Sequence, residues 1–567
     1  MSQPAGNAST TLASAMSGTT LLIFVQLASR LFIFVSNQMI LRSLSPSILG
    51  VSAQLELFLI SILYFSRESI RAAIQRQPLQ PFSASPVNPD KNAVLSNEEE
   101  ERRNAQAKSS QLIVNMTYLS IGMGVVTSMA FALFYVHFAS KEVSETPFYH
   151  ASVAVTAIAS LIELSSEPSF AVVQQYMLYS KRAAVEIGAA FIKSLVVCGI
   201  CAWAAWTGHS LGVLPFALGY LSYSLMLFCG YSLVATHQSS DWQFSLLLSR
   251  IRPSDKATYF ADRFSWLLMS LSANVFFQSV MKHLLTQGDS MILAAMTSLE
   301  DQGIYSLASN YGGLLARILF QPIEESSRTI FSSLLSSRGA KNRESNIETA
   351  KVHLLNVVRG YMMISVVIIP LGPALAPKAL HILGGRRWTT SEADSLLALY
   401  CYYIPFLAFN GISEAFVSST ASPAELRKQA AWMGLFSACF ALAAYVFLAI
   451  GDMGARGLVY ANIVNMSIRI VWSFSFVREY FRQHKSNLAL DEFALRPRTY
   501  AAGAIATVIL SDVESRISSY RDLISFTVGG LYILLVLYFE KEPIMTHSNR
   551  IYQYLRSKGT RSKIRVD

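Results

Sequence analysis

Six basic side chains stand inside stretches that otherwise read as hydrocarbon-embedded: Arg30, Arg67, Lys193, Lys282, Arg317 and Arg469. A charge at the bilayer centre costs about 2.5–3.5 kcal/mol on insertion scales, so each needs a partner or a wet cavity. Acidic and amide groups accompany them. Glu163, Glu167 and Gln174 share one segment, with Pro168 directly after Glu167. Asn410 and Glu414 stand at i, i+4, and Asn462, Asn465 and Arg469 at i, i+3, i+7. Such spacings gather the polar groups of each helix on one face, away from lipid. Guanidinium suits phosphate oxygens through its planar fork. Asn, Gln and aromatic groups suit sugars. The set fits an anionic, sugar-bearing ligand, and inter-helix salt bridges that lock a bundle are the competing reading.

The densest stretch is 303–328, GIYSLASNYGGLLARILFQPIEESSR. At about 100° per residue, Arg317, Gln321, Glu324 and Arg328 fall within about 60° of one another, one polar stripe on an apolar helix. Glu325 is turned about 100° away, toward a neighbouring helix. Gly312-Gly313 admits a neighbouring backbone, and Pro322 predicts a kink beside the charges. A cavity-lining helix and a structural ion pair near a helix end are the two readings.

The elements that must position these groups are membrane spans. The chain has 567 residues, 52% hydrophobic and 14% charged, with a mean hydropathy of +0.37. That composition predicts an all-α polytopic membrane protein. Candidate spans are 18–42, 47–74, 111–138, 149–178, 183–207, 211–236, 265–298, 303–335, 352–383, 392–420, 427–450, 454–480, 498–514 and 522–539, fourteen in all. They group into an N-terminal lobe over 1–236, with a flexible cytosolic loop at 77–108, and a C-terminal lobe over 265–485. A cytosolic amphipathic linker, 237–264, joins the lobes, and 486–567 adds two helices and a basic tail. With both termini cytosolic, the loops on that side and their flanks carry roughly 30 Lys and Arg against roughly 8 opposite, as the positive-inside rule requires. The net charge of +10 is thereby explained without nucleic acid. The first residues carry no basic n-region or A-x-A site, so no cleaved signal peptide is expected. Spans 2 and 8 both end in Glu-Ser-x-Arg (Glu68 to Arg71, Glu325 to Arg328), a weak parallel repeat of the transporter kind.

Some chemistry is missing from the sequence. There is no G-x-x-x-x-G-K-[ST] and no metal-spaced cluster of His, Cys and carboxylates, so neither an ATP site of that kind nor a metal centre is expected. Cys198 and Cys201 form a C-x-x-C inside an apolar run and read as packing residues. The N-x-[ST] triplets at Asn7, Asn115 and Asn465 are all expected to stay unmodified under this topology. No catalytic motif points to an enzyme, and no cofactor is implied.

Several blocks resemble the Rft family of endoplasmic-reticulum membrane proteins of N-glycosylation, within the multidrug/oligosaccharidyl-lipid/polysaccharide exporter superfamily. They are RLFIFVSNQMILR from Arg30, SRESIRAA from Ser66, IELSSEPSFAVVQQ from Ile162, YCYYIPFLAFNGISEAF from Tyr400 and ANIVNMSIRI from Ala461. The most specific is DQGIYSLASNYGGLLARILFQPIEES from Asp301. The resemblance implies two six-helix lobes plus two helices, a central cavity, and a dolichol-linked oligosaccharide as ligand, flipped in its Man5GlcNAc2 form into the lumen. Expected partners are that lipid, membrane lipids and other N-glycosylation proteins. Four functions compete: a lipid-linked oligosaccharide translocator, a non-transporting accessory that binds the same lipid or organises the pathway, a cation-coupled drug antiporter and an enzyme. The antiporter is weakened by Arg30, since span 1 holds no acidic residue.

Overall fold

In a computed structural model of the chain, the described residues are 35–36, 38–42, 44–75, 97–242, 244–251, 259–335, 343–384, 388, 391–486, 488–516 and 521–541. Arg30 and most of the 77–108 insert lie outside them. Nearly everything described is helical, and among the described residues seven helices are long and apolar enough to cross a membrane. The chain divides into two compact units, 1–294 and 295–567.

The first unit contains α1 (Pro46–Gln75), α2 (Asn97–His137), α3 (Tyr149–Ser165), α4 (Glu167–Gln175), α5 (Tyr179–Thr207), α6 (Leu214–Trp242) and most of α7 (Trp266–Met296). The part of the insert around Glu98–Arg103 is the first turns of α2. The span expected over 149–178 is broken at Ser166. Pro168 cannot donate to the helical ladder, and it sits in the first turn of α4, where that donor is not needed. The Ser166 hydroxyl donates to the Glu163 carbonyl at 2.6 Å, satisfying an end of α3. Phe170, Val173, Val185, Ala189, Leu227 and Tyr231 close a core among α4, α5 and α6. The helix that the sequence places at the start of the second lobe, α7, packs on α1. Ser61 Oγ and His283 Nε2 are 2.9 Å apart, and the rings of Tyr64 and Phe65 flank the imidazole.

None of the described residues between α6 and α7 is helical. Residues 244–251 run irregularly along α2, and a two-stranded hairpin follows, β1 (Tyr259–Phe260) with β2 (Phe264–Ser265). The backbone groups of this segment are satisfied by side chains. Asn115 bonds both backbone groups of Ser249 and also donates to the Arg263 carbonyl at 3.0 Å. Gln111 bonds the Ser245 N–H and the Leu247 carbonyl, and the Tyr118 hydroxyl donates to the Leu246 carbonyl. Asn115 is fully buried by these contacts.

The second unit begins with α8 (Leu299–Leu315), which runs through a π-helical turn (Ala316–Phe320) into α9 (Gln321–Leu335). It continues with α10 (Arg343–Gly384), α11 (Ser391–Thr420), α12 (Pro423–Tyr445), α13 (Gly454–Gln483), α14 (Pro497–Arg516) and α15 (Arg521–Phe539). Pro370, Pro373 and Pro377 lie inside α10. The carbonyl that Pro370 leaves without its helical donor belongs to Val366, four residues earlier. The Tyr532 hydroxyl of α15 donates to that carbonyl at 2.7 Å. Leu371, Ala374, Ala506, Leu510, Tyr532 and Val536 form the core that seats α14 and α15 on α10.

Candidate functional site

Arg67 on α1 donates to Glu163 at 2.7 Å and to Glu167 at 3.3 Å. Arg71, one turn on, holds Glu167 through Nε at 2.8 Å and Nη2 at 2.6 Å, a two-pronged contact. Both carboxylates are buried. The break at Ser166 lets residues on two helices, α3 and α4, converge on one arginine. The Phe170 ring lies 3.9 Å from the Arg71 guanidinium and 5.0 Å from that of Arg182. Arg182 in turn bonds Gln174 and Glu186. Gln174 thus belongs to the Arg182 network and not to the Glu163 and Glu167 face.

Lys193 on α5 is different. Its ammonium lies 4.4 Å from the Tyr220 ring centre, and no described carboxylate stands within ion-pair distance. Lys282 is largely exposed and reaches Glu68 at 3.8 Å, while its neighbour His283 is buried against α1.

The stripe expected over 317–328 loses Arg317, while Gln321, Glu324 and Arg328 keep their regular spacing on α9. The Gln321 N–H bonds the Ala316 carbonyl, an i→i+5 link. That inserts about one extra residue into the helical register, a rotation of about 100°. The cause lies in the sequence: the Pro322 ring collides with the carbonyl four residues back and gives it no donor, and a π turn relieves both. The Tyr361 hydroxyl caps the Phe320 carbonyl within this turn at 3.4 Å. Three corrections follow. Arg317 points back along α8 and bonds the Asn310 carbonyl and Oδ1, each at 2.8 Å, and the Gly313 carbonyl at 3.3 Å. Gln321 donates to Glu325, at 3.0 Å, and both are exposed. Glu324 is the carboxylate that turns to a neighbouring helix, where it lies against Gly411 of α11. Glu325, expected to turn toward a neighbouring helix, is exposed instead. Gly312 admits the Tyr400 ring, not a backbone.

On α11 and α13, Arg469 Nη2 donates to Glu414 at 2.8 Å, and Asn410 Nδ2 lies 3.4 Å from the same oxygen. Asn462 is buried and donates to the Tyr305 hydroxyl of α8 at 2.9 Å. Arg71, Asn310, Tyr305 and Gly411 escaped the sequence reading as site residues. Arg71 had a usable signal, since Arg67 and Arg71 stand at i, i+4. Among the described residues, no group of three or more His, Cys, Asp or Glu could hold a metal ion.

A model of the Rft protein family matches residues 14–550. The chain belongs to that family. This Rft protein is 34% identical over 535 residues to the Man(5)GlcNAc(2)-PP-dolichol translocation protein RFT1 of Yarrowia lipolytica, covering 90% of this chain and 77% of the relative. It is 30% identical to the protein of the same name from Saccharomyces cerevisiae, covering 94% and 95%. Among solved structures it shares its fold with the lipid II flippase MurJ in an inward closed conformation, at TM-score 0.55 and 13% identity, covering 93% of this chain and 100% of that one. An inward-facing multidrug resistance MATE family transporter of the MOP superfamily gives TM-score 0.55 at 12% identity, covering 80% and 95%.

Proposed function

We propose that this Rft-family protein translocates dolichyl-diphosphate-linked Man5GlcNAc2 across the endoplasmic-reticulum membrane for protein N-glycosylation, by alternating access of a cationic cavity. The observation that carries the reading is the state of Arg317. Its guanidinium is exposed on an otherwise apolar segment and bonds only neutral oxygens. No described carboxylate balances its charge. Lys193 in the first unit is half-buried on the Tyr220 ring. An uncompensated cation in a membrane protein favours an anionic ligand over a cationic drug, and a diphosphate offers the oxygens that guanidinium and ammonium bind.

The remaining groups take graded roles in this reading. Arg67 and Arg469 hold Glu163, Glu167 and Glu414 when the site is empty, and can exchange a carboxylate for phosphate. Asn410, Gln321 and Glu324 offer hydrogen bonds to sugar hydroxyls. Lys282 and Arg30 add positive charge. Fourteen spans in two six-helix lobes plus two helices, with both termini cytosolic, complete the proposal. The relatives' names and the fold shared with MurJ support it.

Reconstitution tests it. Purified full-length protein is placed in vesicles with the defined lipid-linked oligosaccharide, and head groups reached by a membrane-impermeant reagent are scored. Protein-dependent movement is expected. Binding retained without movement would return the accessory role.

A further inference from the structure

Resting on the diphosphate reading above, we infer that Asn310 is the positioning residue for Arg317 and that its neutrality keeps the site cationic. Asn310 on α8 and Arg317 at the start of the π turn are seven residues apart, about two helical turns, and so lie on one side of the continuous helix. The π turn carries Arg317 off the α9 stripe, and its side chain runs toward the N-terminus as helical side chains do. Asn310 then receives it twice. Arg317 Nη2 donates one hydrogen bond to the Asn310 backbone carbonyl and one to Oδ1, both at 2.8 Å. Nε is taken by the Gly313 carbonyl at 3.3 Å.

A guanidinium has five N–H donors: one on Nε and two on each terminal nitrogen. Nε and Nη2 are thereby committed. Nη1 bonds nothing among the described residues. Its two donors form the free edge of a group held still on its other side, and the side chain is exposed. An edge of this kind suits one oxygen, or two oxygens of one phosphate.

The identity of residue 310 decides the charge at that edge. Asp has nearly the shape of Asn and would hold Nη2 equally well. It would also set a carboxylate beside the guanidinium, as Glu414 does for Arg469 at 2.8 Å. A neutralised arginine gives an anion far less Coulombic attraction. The same chemistry that positions Arg317 would then disable it. Asn310 supplies the position without the charge.

The test uses purified full-length protein in nanodiscs and two probes, dolichyl-diphosphate-linked Man5GlcNAc2 and uncharged dolichol. N310D is expected to lower affinity for the diphosphate lipid about tenfold or more and to flatten its dependence on salt. N310A leaves the charge and removes one of the three hydrogen bonds that hold the guanidinium, and a loss of about threefold is expected. Dolichol binding should move with neither. If R317A loses diphosphate binding while N310D binds as wild type does, the inference is overturned and the diphosphate reading stands. If R317A and N310D both bind as wild type does, Arg317 is not an anion site and both readings fall. Should N310D fail to accumulate, a double-mutant cycle between N310A and R317K serves instead. Additive losses there would overturn the coupling of the two residues.

Discussion

The carboxylate of Glu324 on α9 occupies the space beside Gly411 on α11 that a β-carbon there would need. Ser419 Oγ lies 3.1 Å from the Arg328 carbonyl across the same seam, and 2.7 Å from the Ala415 carbonyl of its own helix. Gly411→Ala must therefore displace Glu324 or part the helices, an overpacking cost of about 1–3 kcal/mol. Lower membrane abundance and an earlier thermal transition are expected. Glu324→Gln keeps the shape and should accumulate normally. Glu325 is exposed, so Glu325→Gln should leave abundance unchanged. Equal losses for Glu324→Gln and Glu325→Gln in a membrane-abundance assay would contradict this division.

Glu167 serves two arginines and Glu163 one. Removing a partner from a buried ion pair costs about 3–5 kcal/mol because an unmatched charge remains. Glu167→Gln leaves both Arg67 and Arg71 weakened, whereas Glu163→Gln leaves Arg67 with Glu167. Glu167→Gln should be the more damaging by at least about 1 kcal/mol in thermal or denaturant stability. The reverse order would mean that the Arg71 contact contributes little.

Tyr532→Phe removes the donor for the Val366 carbonyl. Among apolar helices no water replaces it, and interhelical bonds of this kind contribute about 0.6–2 kcal/mol. The variant should fold but expose α14 and α15 to limited proteolysis sooner than wild type. Unchanged cleavage kinetics would show that the apolar core suffices to seat them.

The proposed orientation predicts that an N-glycosylation acceptor grafted at residue 141 is modified and one at residue 95 is not. Native Asn115 should stay unmodified. Besides its proposed cytosolic side, its carboxamide is buried and committed to residues 249 and 263. Mobility shifts on treatment with an endoglycosidase read all three positions, and modification at 95 would reverse the orientation.

Composition and hydropathy by themselves determined that this is a helical membrane protein, because a bilayer admits long apolar helices and makes each buried charge conspicuous. Local spacing was equally informative where the helix stayed regular: Asn410 and Glu414 do meet across one turn. Spacing failed at 316–320, where the consequence of Pro322 was legible as a disturbance but not as a π turn. One added residue turned Arg317 away from Gln321, Glu324 and Arg328, which keep their mutual spacing on the regular helix that follows. Pairings between helices were decided by the tertiary structure alone. Arg67 finds Glu163 and Glu167 about a hundred residues away, and the sequence offers many carboxylates of the same chemistry. Only packing fixes which one lies within 3 Å, and so which cations are neutralised and which, like Arg317, keep their charge.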